Sequence, residues 1–556
     1  MNASHERPHL ALILLVLLLA VTTRLSGLTE GFWIDEAISA DTAAMGFLEL
    51  IARSGLADVH PPGYYAGLRF WSLLFGPSDV AARLFTLLVS VGTVWLLIAY
   101  ASARFGKSSG LVAGLALALS PLHAHYGVEV RSYCLLTALT LVALWCQERL
   151  LGRPRCARRQ VLFVVVLSAL TWVHTLGLII AGLLLVHALL SAPDPVIPVV
   201  RALAISVAAM FTPWLPLLLV QVFHQPEGMT AHLSGSISWM DVLAGMGPSA
   251  LSSVPVMPSA AGGLLCVLAG LALWRAELAG QADVESSSIS MRAWWILSSV
   301  IGLTGPLLAL TLLPLSSLTF DLIAGEVGKA YGLLVLSVGC IWGITRARGP
   351  SPPLKLSAPA ALFLGYLLAL CVIHWARPIV NIRNLLPMVP LATLGLGVWA
   401  RSHGRAPAGI ALMWIALSAS SLTSLVDRLA DGPIPARDDL RGAAMLVDDP
   451  TSTVVVIPRW DAPGVARYLE PDREVVGALD PAELDLAGIS RCSIVLTRSA
   501  AAAPEPYLEA IDRALSKNHI RAERRRLRGS PAVEVVRYTT ANHGQDQNGQ
   551  RDDPGI

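Results

Sequence analysis

Residues 10–36 read LALILLVLLLAVTTRLSGLTEGFWIDE, an apolar run followed by a polar segment with two adjacent carboxylates. A bilayer span needs about 20 mostly apolar residues, and residues 8–28 supply them. The rest of the chain repeats the pattern, since 54% of its 556 residues are hydrophobic and 14% are charged. An ordinary soluble domain has roughly 25% charged residues. The sequence therefore predicts a polytopic α-helical membrane protein.

Thirteen stretches are candidate membrane spans. They lie at residues 8–28, 80–103, 110–122, 132–149, 161–177, 178–192, 202–222, 257–274, 293–313, 330–345, 357–375, 384–400 and 407–426. The third is short and the fifth and sixth nearly fuse, so the count could change by one or two. The first stretch is also short enough for a cleaved signal peptide. Its removal would invert the charge bias described next, which favours an uncleaved first helix.

Charge is distributed unevenly along the chain. The first 426 residues include 18 acidic and 24 basic residues, and the last 130 include 21 and 17. With a cytoplasmic N-terminus, sixteen of those 24 basic residues fall in inner loops, as the positive-inside rule requires. An odd number of spans then places residues 427–556 on the outer, periplasmic side of the inner membrane. The net charge of +2 excludes a broadly basic nucleic-acid-binding protein.

The chain is predicted to contain a membrane domain at residues 1–426 and a small soluble α/β domain at 427–539. Within the first, residues 29–79 form a long outer loop with seven acidic residues. Its apolar, aromatic run at 64–75 is expected to lie along the membrane surface as an interfacial helix. The tail at 540–556 is rich in Asn, Gln, Asp and Gly and is predicted to be disordered.

Helix and strand patterns alternate in the C-terminal domain. The predicted helices lie at residues 436–447, 463–469 and 506–517, and the predicted strands at 453–458, 473–479, 492–497 and 532–538. The basic run at 521–528 is interpreted as a solvated surface or, alternatively, as a contact with anionic headgroups.

Two segments of the first outer loop contain candidate functional residues. Trp33-Ile34-Asp35-Glu36 places two carboxylates at a low-dielectric boundary, where ionised groups are costly unless they are paired or used. The simpler alternative is a helix start, with acidic residues near its positive end. Further along, His60 precedes two prolines that fix the backbone, so its side chain would be held in one place. A histidine held in this way could donate to an anionic ligand.

Two later outer segments add cations. The segment 120–133 contains His123 and His125, whose spacing invites a metal interpretation, although nothing else supplies a clear ligand set. At the outer entrance of the twelfth span, Arg383 offers permanent charge and a fork suited to phosphate. Interfacial snorkelling is the alternative for such residues, and Arg24 and Lys329 fit it at least as well. Carboxylates and cations at one level of the membrane would suit a lipid phosphate.

In their order along the chain, these residues resemble a known family. The similarity rests on Asp35-Glu36, His60-Pro61-Pro62-x-Tyr64-Tyr65, Leu74-Phe75-Gly76 with Ala82-Arg83-Leu84, Ser120-Pro121 through Glu129-x-Arg131-x-Tyr133, and Arg383-Asn384-Leu385-Leu386-Pro387. The pattern looks like that of the GT-C glycosyltransferases. More narrowly, it is similar to bacterial relatives of the protein O-mannosyltransferases (glycosyltransferase family 39-like), which include the lipid A aminoarabinose and galacturonic acid transferases. The aminoarabinose branch usually has lysine at the position of His60, which leaves the donor and the acceptor open.

The resemblance implies a GT-C fold and transfer of a hexose or pentose, with inversion, from a polyprenyl-phosphate donor to an acceptor hydroxyl on the outer face. Asp35 would be the general base, and Glu36 would support it or position the acceptor. The remaining roles would be donor-phosphate binding by Arg383, His60 and Arg131, and pocket lining by Tyr64, Tyr65, His125, Glu129 and Tyr133. The acceptor would be a glycolipid, a protein or a polysaccharide. Some GT-C enzymes need a divalent cation and others do not, so metal dependence stays open.

Two other functional classes compete with this interpretation. A lipid-linked sugar transporter or flippase without transferase activity would place ionisable residues or broken helices at mid-membrane, often in inverted repeats. In this sequence nearly every charge maps to a span end, and no internal repeat is evident. A non-catalytic envelope scaffold would not need Asp35 and Glu36 near a proline-clamped histidine.

Overall fold

A computed structural model describes most of the chain. The described residues are 3–223 without 26, 57 and 59; 326, 327, 329 and 335; 357–402 without 377–381; and 439–540 without 448, 449, 451, 479–490, 498–503, 515–518 and 528–532. The predicted spans at 257–274, 293–313 and 407–426, nearly all of 330–345, and the tail beyond Thr540 lie outside these residues.

The chain divides into two compact units. Unit 1 comprises Met1–Leu25, Thr42–Gly76 and Ala81–Leu425. Unit 2 comprises Ser26–Asp41, Pro77–Val80 and Val426–Ile556. Two short N-terminal segments therefore group with the C-terminal part of the chain.

Helices make up the described part of the membrane domain. They are α1 (Ala3–Leu25), α2 (Ile34–Ala44), α3 (Phe47–Leu56), α4 (Gly63–Phe75), α5 (Asp79–Phe105), α6 (Lys107–Leu119), α7 (Pro121–Tyr126), α8 (Tyr133–Gly152), α9 (Ala157–Val173), α10 (Leu176–Ser191), α11 (Ile197–Phe211), α12 (Leu215–Phe223), α13 (Ala358–Ala376), a 3-10 helix (Ile382–Met388) and α14 (Val389–Ser402).

By length and composition, two of the described helices, α5 and α8, could each cross a membrane. The pair α11 and α12 also qualifies as one span with a 64° bend, at a break that contains Pro213. A proline removes a backbone donor and ends the preceding helical turn, so the predicted span at 202–222 is bent. Shorter apolar helices are His9–Leu25, Lys107–Leu119, Leu176–Ser191 and Ala358–Ile373. The predicted polytopic helical architecture is confirmed, but not a count of thirteen.

Two predicted boundaries are wrong. The fifth and sixth spans separate after Val173, earlier than predicted, because α9 ends there and α10 begins at Leu176. The predicted span at 384–400 does not begin as an α-helix. Residues 382–388 form a 3-10 helix that contains Pro387, and the α-helix begins at Val389.

The segment predicted as the first outer loop contains three helices. Helices α2 and α3 are separated by a break at Met45–Gly46. Helix α4 buries Tyr64, Tyr65 and Leu68, whereas Phe70, Leu73, Leu74 and Phe75 are exposed. An interfacial helix presents an exposed apolar face of this kind to a membrane surface. The position of residues 64–75 along the membrane stays a prediction.

Unit 2 contains a five-stranded mixed sheet. Its strands are β1 (Thr453–Ile457), β2 (Val475–Gly477), β3 (Arg491–Leu496), β4 (His519–Leu527) and β5 (Val533–Thr540), in the order β2-β1-β3-β5-β4. Strand β1 pairs in parallel with β2 and β3, and β5 pairs antiparallel with β3 and β4. The predicted small α/β domain is confirmed. The interpretation of 521–528 missed β4, because its arginines hid the strand pattern.

Helices cover both faces of this sheet, as the period-2 alternation of a strand requires. They are α15 (Leu440–Leu446), α16 (Ala462–Ala466) and α17 (Glu505–Ala514). Val455 and Ile457 of β1 pack in a cluster with α17. Val454 and Val456 pack in a second cluster with α15 and α16. The two clusters form the core of the domain.

Candidate active site

The two prolines after His60 directly precede helix α4, whose first residue packs closely against the end of α9. Helix α4 begins at Gly63, where an added Cβ would lie 2.6 Å from the carbonyl oxygen of Trp172 at the end of α9. Glycine allows this approach because it has no side chain to collide with the backbone. The contact brings His60 next to His174, with ring centroids 4.3 Å apart. His60 and His174 are 7% and 3% exposed.

A third ring and a guanidinium complete this group. Tyr133, the first residue of α8, lies 5.0 Å from the His174 ring and 6.3 Å from the His60 ring. The guanidinium carbon of Arg383, in the 3-10 helix, lies over the Tyr133 ring, 5.5 Å from its centroid, which is cation–π range. We call His60, Tyr133, His174 and Arg383 the ring cluster. Its four members come from four different parts of unit 1.

Arg131 adds a second permanent positive charge near the cluster. Its side chain is 6% exposed, and its backbone N–H donates to the carbonyl of Glu129 at 2.7 Å. The charges of Arg131 and Arg383 both act on the His174 imidazole. All three residues predicted to bind the donor phosphate, Arg383, His60 and Arg131, therefore lie around His174, which the sequence did not single out.

A buried tyrosine–carboxylate pair lies on the same helix, α4. The hydroxyl of Tyr65 donates to Oδ2 of Asp58. Burial, and then the negative charge of Asp58, raise the pKa of Tyr65 well above its usual value, while the charge of Arg131 lowers it. Tyr65 is therefore a neutral donor. Tyr64 is equally buried, with its ring edge-on to that of Tyr65 at 5.7 Å.

The histidine pair at 123 and 125 has separate surroundings. His123 is fully buried, and its Nδ1 accepts from Nη2 of Arg24 at 2.7 Å. Burial and the charge of Arg24 lower the pKa of His123 well below its usual value. His125 is partly exposed and packs edge-on to Tyr126 at 5.0 Å. Among the residues that the structure describes, no three His, Cys, Asp or Glu side chains are grouped as metal ligands.

Arg24 does not snorkel, so that interpretation is wrong. Its side chain is 1% exposed. Besides His123, it donates to Oγ of Ser90 at 2.8 Å and to the carbonyl oxygens of Ala20 and Ala118 at 2.6 and 3.2 Å. These bonds tie α1 to α5, α6 and α7.

Asp35 and Glu36 lie in the first turn of α2, in the part of that helix assigned to unit 2. Oε2 of Glu36 accepts the backbone N–H of Trp33 at 3.3 Å, and Glu36 is 0% exposed. This is the reciprocal half of a capping box, which fixes the start of the helix. Asp35 is partly exposed, and its backbone carbonyl accepts from the Ser39 hydroxyl at 2.8 Å. The two predicted catalytic carboxylates thus have different surroundings.

One family model matches part of the chain. Residues 59–217 match the model of the family described as dolichyl-phosphate-mannose-protein mannosyltransferase. The match covers less than a third of the chain, so it is a similarity over this region. The matched region contains three members of the ring cluster, His60, Tyr133 and His174. No curated protein matches the chain in sequence.

Several solved structures are similar to the chain over most of its length. ArnT from Cupriavidus metallidurans in the apo state has 15% identity and a TM-score of 0.45, with 97% of this chain and 99% of that chain covered. The same protein bound to undecaprenyl phosphate has 17% identity and a TM-score of 0.42, with 97% and 98% covered. The Archaeoglobus fulgidus oligosaccharyltransferase with Zn and sulfate has 12% identity and a TM-score of 0.44, with 91% and 67% covered.

Proposed function

We propose that the protein transfers a sugar from a polyprenyl-phosphate donor to an acceptor hydroxyl on the outer face of the inner membrane. The ring cluster is the observation that supports this most, because it combines permanent positive charge with imidazole donors in a buried part of unit 1. Such groups suit a phosphate that gains negative charge as it leaves. A lipid-phosphate donor needs no nucleotide-binding loop.

Arg383 and Arg131 are proposed to stabilise the leaving phosphate. A guanidinium stays charged at any physiological pH and presents a fork of donors that fits phosphate oxygens. The face of Tyr133 lies against the Arg383 guanidinium, which restricts where that charge can point. In a low-dielectric site, a charge held in place acts more strongly on the transition state than a mobile one in water.

His174 is proposed as a further hydrogen-bond donor to the phosphate. The backbone N–H of Leu176 donates to its Nδ1 at 3.0 Å, so the proton of the neutral ring is on Nε2. Nε2 is buried and has no hydrogen-bond partner among the described residues. A buried donor without a partner costs about 1–3 kcal/mol. A phosphate oxygen would satisfy it, and His60 packs against the same ring.

Asp35 is proposed as the general base, with inversion in a single displacement. As the acceptor oxygen bonds to the anomeric carbon, the bond from that carbon to the phosphate oxygen breaks. The acceptor proton passes to the Asp35 carboxylate, and the electron pair leaves with polyprenyl phosphate. The helix N-terminus at α2 favours the ionised carboxylate. Glu36 supports the base by capping the same helix.

Tyr64, Tyr65, His125 and Glu129 are proposed to line the site. Tyr65 does so as a neutral side chain held by Asp58. The acceptor is proposed to be a glycolipid, a protein or a cell-envelope polysaccharide.

Mass spectrometry of envelope glycolipids and glycoproteins, from cells with and without the protein, tests this function. Loss of one sugar from one acceptor is the expected result and identifies both. A flippase would instead change the distribution of a lipid-linked sugar and leave no product of its own. Purified protein is then tested with four polyprenyl-phosphate donors, which contain mannose, glucose, galacturonic acid or 4-amino-4-deoxyarabinose. The donor whose sugar is transferred is the one used in the experiments below.

The variant Asp35→Asn tests the assigned base. Loss of a general base lowers turnover by about 10²–10⁴-fold, so we expect a decrease of that size. Asp194→Asn, the same change at an exposed position, is the control and should retain wild-type turnover. Wild-type transfer by Asp35→Asn would show that the catalytic assignment is wrong.

A further inference from the structure

The segment that contains Asp35 belongs structurally to the C-terminal domain. Residues 26–41 and 77–80 form one compact unit with residues 426–556. Three side chains of the C-terminal domain contact these two segments: Arg441, Arg467 and Tyr468. Each of them makes more than one such contact.

The hydroxyl of Tyr468 joins both segments. It accepts the backbone N–H of Phe32 at 2.6 Å and donates to Oδ2 of Asp79 at 2.6 Å. A phenol has one proton to donate. Because Tyr468 donates it to Asp79, its hydroxyl oxygen acts as the acceptor in the bond with the Phe32 N–H. Phe32 lies three residues before Asp35, and its ring is 0% exposed.

Two arginines add charge to the same contact. Arg467 pairs with Asp41, its Nη2 lies 3.7 Å from Oδ1 of Asp79, and its guanidinium lies 5.0 Å from the centroid of the Phe32 ring. The Arg467 side chain is 21% exposed, so solvent screens these interactions less than those of a fully exposed pair.

Arg441 reaches the beginning of the segment. It pairs with Asp79, donates to the carbonyl oxygen of Thr29 at 3.3 Å, and lies over the Tyr468 ring at 5.2 Å. The two arginines and Tyr468 therefore share Asp79 as a common partner.

Ile34, the residue directly before Asp35, packs on the same domain. An added Cβ at Gly464 of α16 would lie 2.5 Å from Leu440 and 3.5 Å from Cδ1 of Ile34. Ile34 is 3% exposed. The missing side chain of Gly464 lets the start of α2 approach α16 closely.

We propose that the C-terminal α/β domain is the positioning element for Asp35. Its contacts fall on both sides of that residue, at Thr29, Phe32 and Ile34 before it and at Asp41 after it. The inference rests on the proposed function, in which Asp35 is the base. A misplacement of about 1 Å at a reacting group can cost about 10²-fold in rate, so loosening this segment should slow turnover.

The full-length protein in nanodiscs, with the change Tyr468→Phe, tests the proposal. This change keeps the ring and removes the hydroxyl that holds Phe32 and Asp79. We expect faster hydrogen exchange in residues 29–41, a turnover number at least about tenfold lower, and a donor KM within about twofold of wild type. Turnover is measured with polyprenyl-phosphate mannose or with another member of the donor panel that is transferred. Tyr507→Phe, on α17 at the opposite face of the sheet, should change none of these.

Charge reversal provides a second, independent variant. Asp41→Arg opposes Arg467 and should speed exchange in residues 29–41 and lower turnover. The double variant Asp41→Arg with Arg467→Asp should restore at least half of the loss. The Asp41 side chain is 41% exposed, so changes at this position should not unfold the domain. Faster hydrogen exchange in β1 and β3 would reveal that Tyr468→Phe unfolds it. In that case, the Asp41 and Arg467 variants alone test the positioning role.

Three results would overturn the proposal. One is wild-type exchange in residues 29–41 in both single variants, and another is faster exchange with wild-type turnover. The third is a raised acceptor KM at unchanged turnover, which would make the domain an acceptor-binding module. None of these results bears on the base itself, because Asp35→Asn tests that role separately.

Discussion

The imidazole of His174 presents a buried N–H that the described protein groups leave unused. We expect His174→Phe, which keeps a ring of similar shape, to lower turnover with a polyprenyl-phosphate sugar by about 10²-fold. Removal of one donor to a developing oxyanion has a cost of this order. The measurement is the turnover number and donor KM of purified protein in nanodiscs.

His187 supplies the matched control for that change. It lies on α10, where it is bonded to Gln147 and Ser191 at 2.9 and 3.2 Å. His187→Phe should reduce thermal stability without a selective loss of turnover per folded molecule. Equal turnover numbers in His174→Phe and His187→Phe would show that His174 does not bind the donor phosphate.

Tyr468 gives a pH prediction with a defined sign. Burial, and then its bond to Asp79, raise the pKa of Tyr468 above its usual value. Its neutral form therefore stabilises the folded domain fully below the unfolded pKa of about 10, and this stabilisation is lost as the pH rises toward the folded pKa. Tyr468→Phe should lower the melting temperature equally at pH 7 and pH 9, and by less above pH 10. A difference that grows above pH 10 would contradict the assigned bond.

Residue chemistry and the family resemblance together predicted most of the ring cluster. His60 and Arg383 were predicted to bind phosphate and Tyr133 to line the pocket, and the structure brings all three together with His174. His174 was not predicted as a site residue because it falls inside the predicted span at 161–177, close to its junction with the span at 178–192. The signal that could have found it is Gly177, where an added Cβ would lie 2.0 Å from the carbonyl oxygen of Leu170, as at a tight helix break.

At the scale of elements, the contact between α4 and α9 decides whether His60 reaches His174. Gly63→Ala would place a methyl group 2.6 Å from the Trp172 carbonyl, and such overpacking costs about 1–3 kcal/mol. We expect Gly63→Ala to lower the melting temperature. We also expect it to lower turnover by more than the loss of folded protein explains, because His60 would be displaced from His174. Gly67→Ala, on the same helix, meets only Phe85 at 3.8 Å and should be neutral or stabilising by up to about 1 kcal/mol. Similar effects of the two changes would show that the close approach is unimportant.

Elements were predictable where one periodicity dominated. The apolar runs of α5 and α8 and the valine-rich β1 lie close to the predicted positions. Strand β4 was not predictable in this way, because its arginines pair with carboxylates such as Glu534 and Glu505 that lie elsewhere in the domain. Pairing of that kind depends on tertiary structure, which a local pattern does not contain.

At the scale of the whole molecule, topology remains a prediction that a reporter can test. Alkaline phosphatase fused after Asp546 should be active, and a fluorescent protein fused there should remain dark in a bacterial host. The reason is the excess of basic residues in the predicted inner loops, which favours a cytoplasmic N-terminus. The reverse pattern would place the C-terminal domain in the cytoplasm and exclude action on the outer face.

Long-range pairing was the least predictable feature of the molecule. The sequence showed an acidic first outer loop and a charged C-terminal domain, but it could not show that Asp41 and Asp79 pair with Arg467 and Arg441. The two partners of an ion pair can lie at any separation along the chain, so no sequence pattern indicates which residues pair. The grouping of residues 26–41 with the last 130 residues therefore emerged from the structure alone.

Residues 26–41 are synthesised well before the C-terminal domain with which they form one unit. Phe32 and Tyr468 are 436 positions apart, so the ribosome makes the segment that contains Asp35, the proposed base, long before its anchor. At about 5–20 residues per second, the delay is roughly 20–90 s. During that interval, the nascent protein would already occupy the bilayer with its early helices inserted, yet it would lack a correctly placed base. On the proposed function, catalytic competence would then arrive only after the C-terminal domain has been made, and products terminated before Tyr468 would be inert.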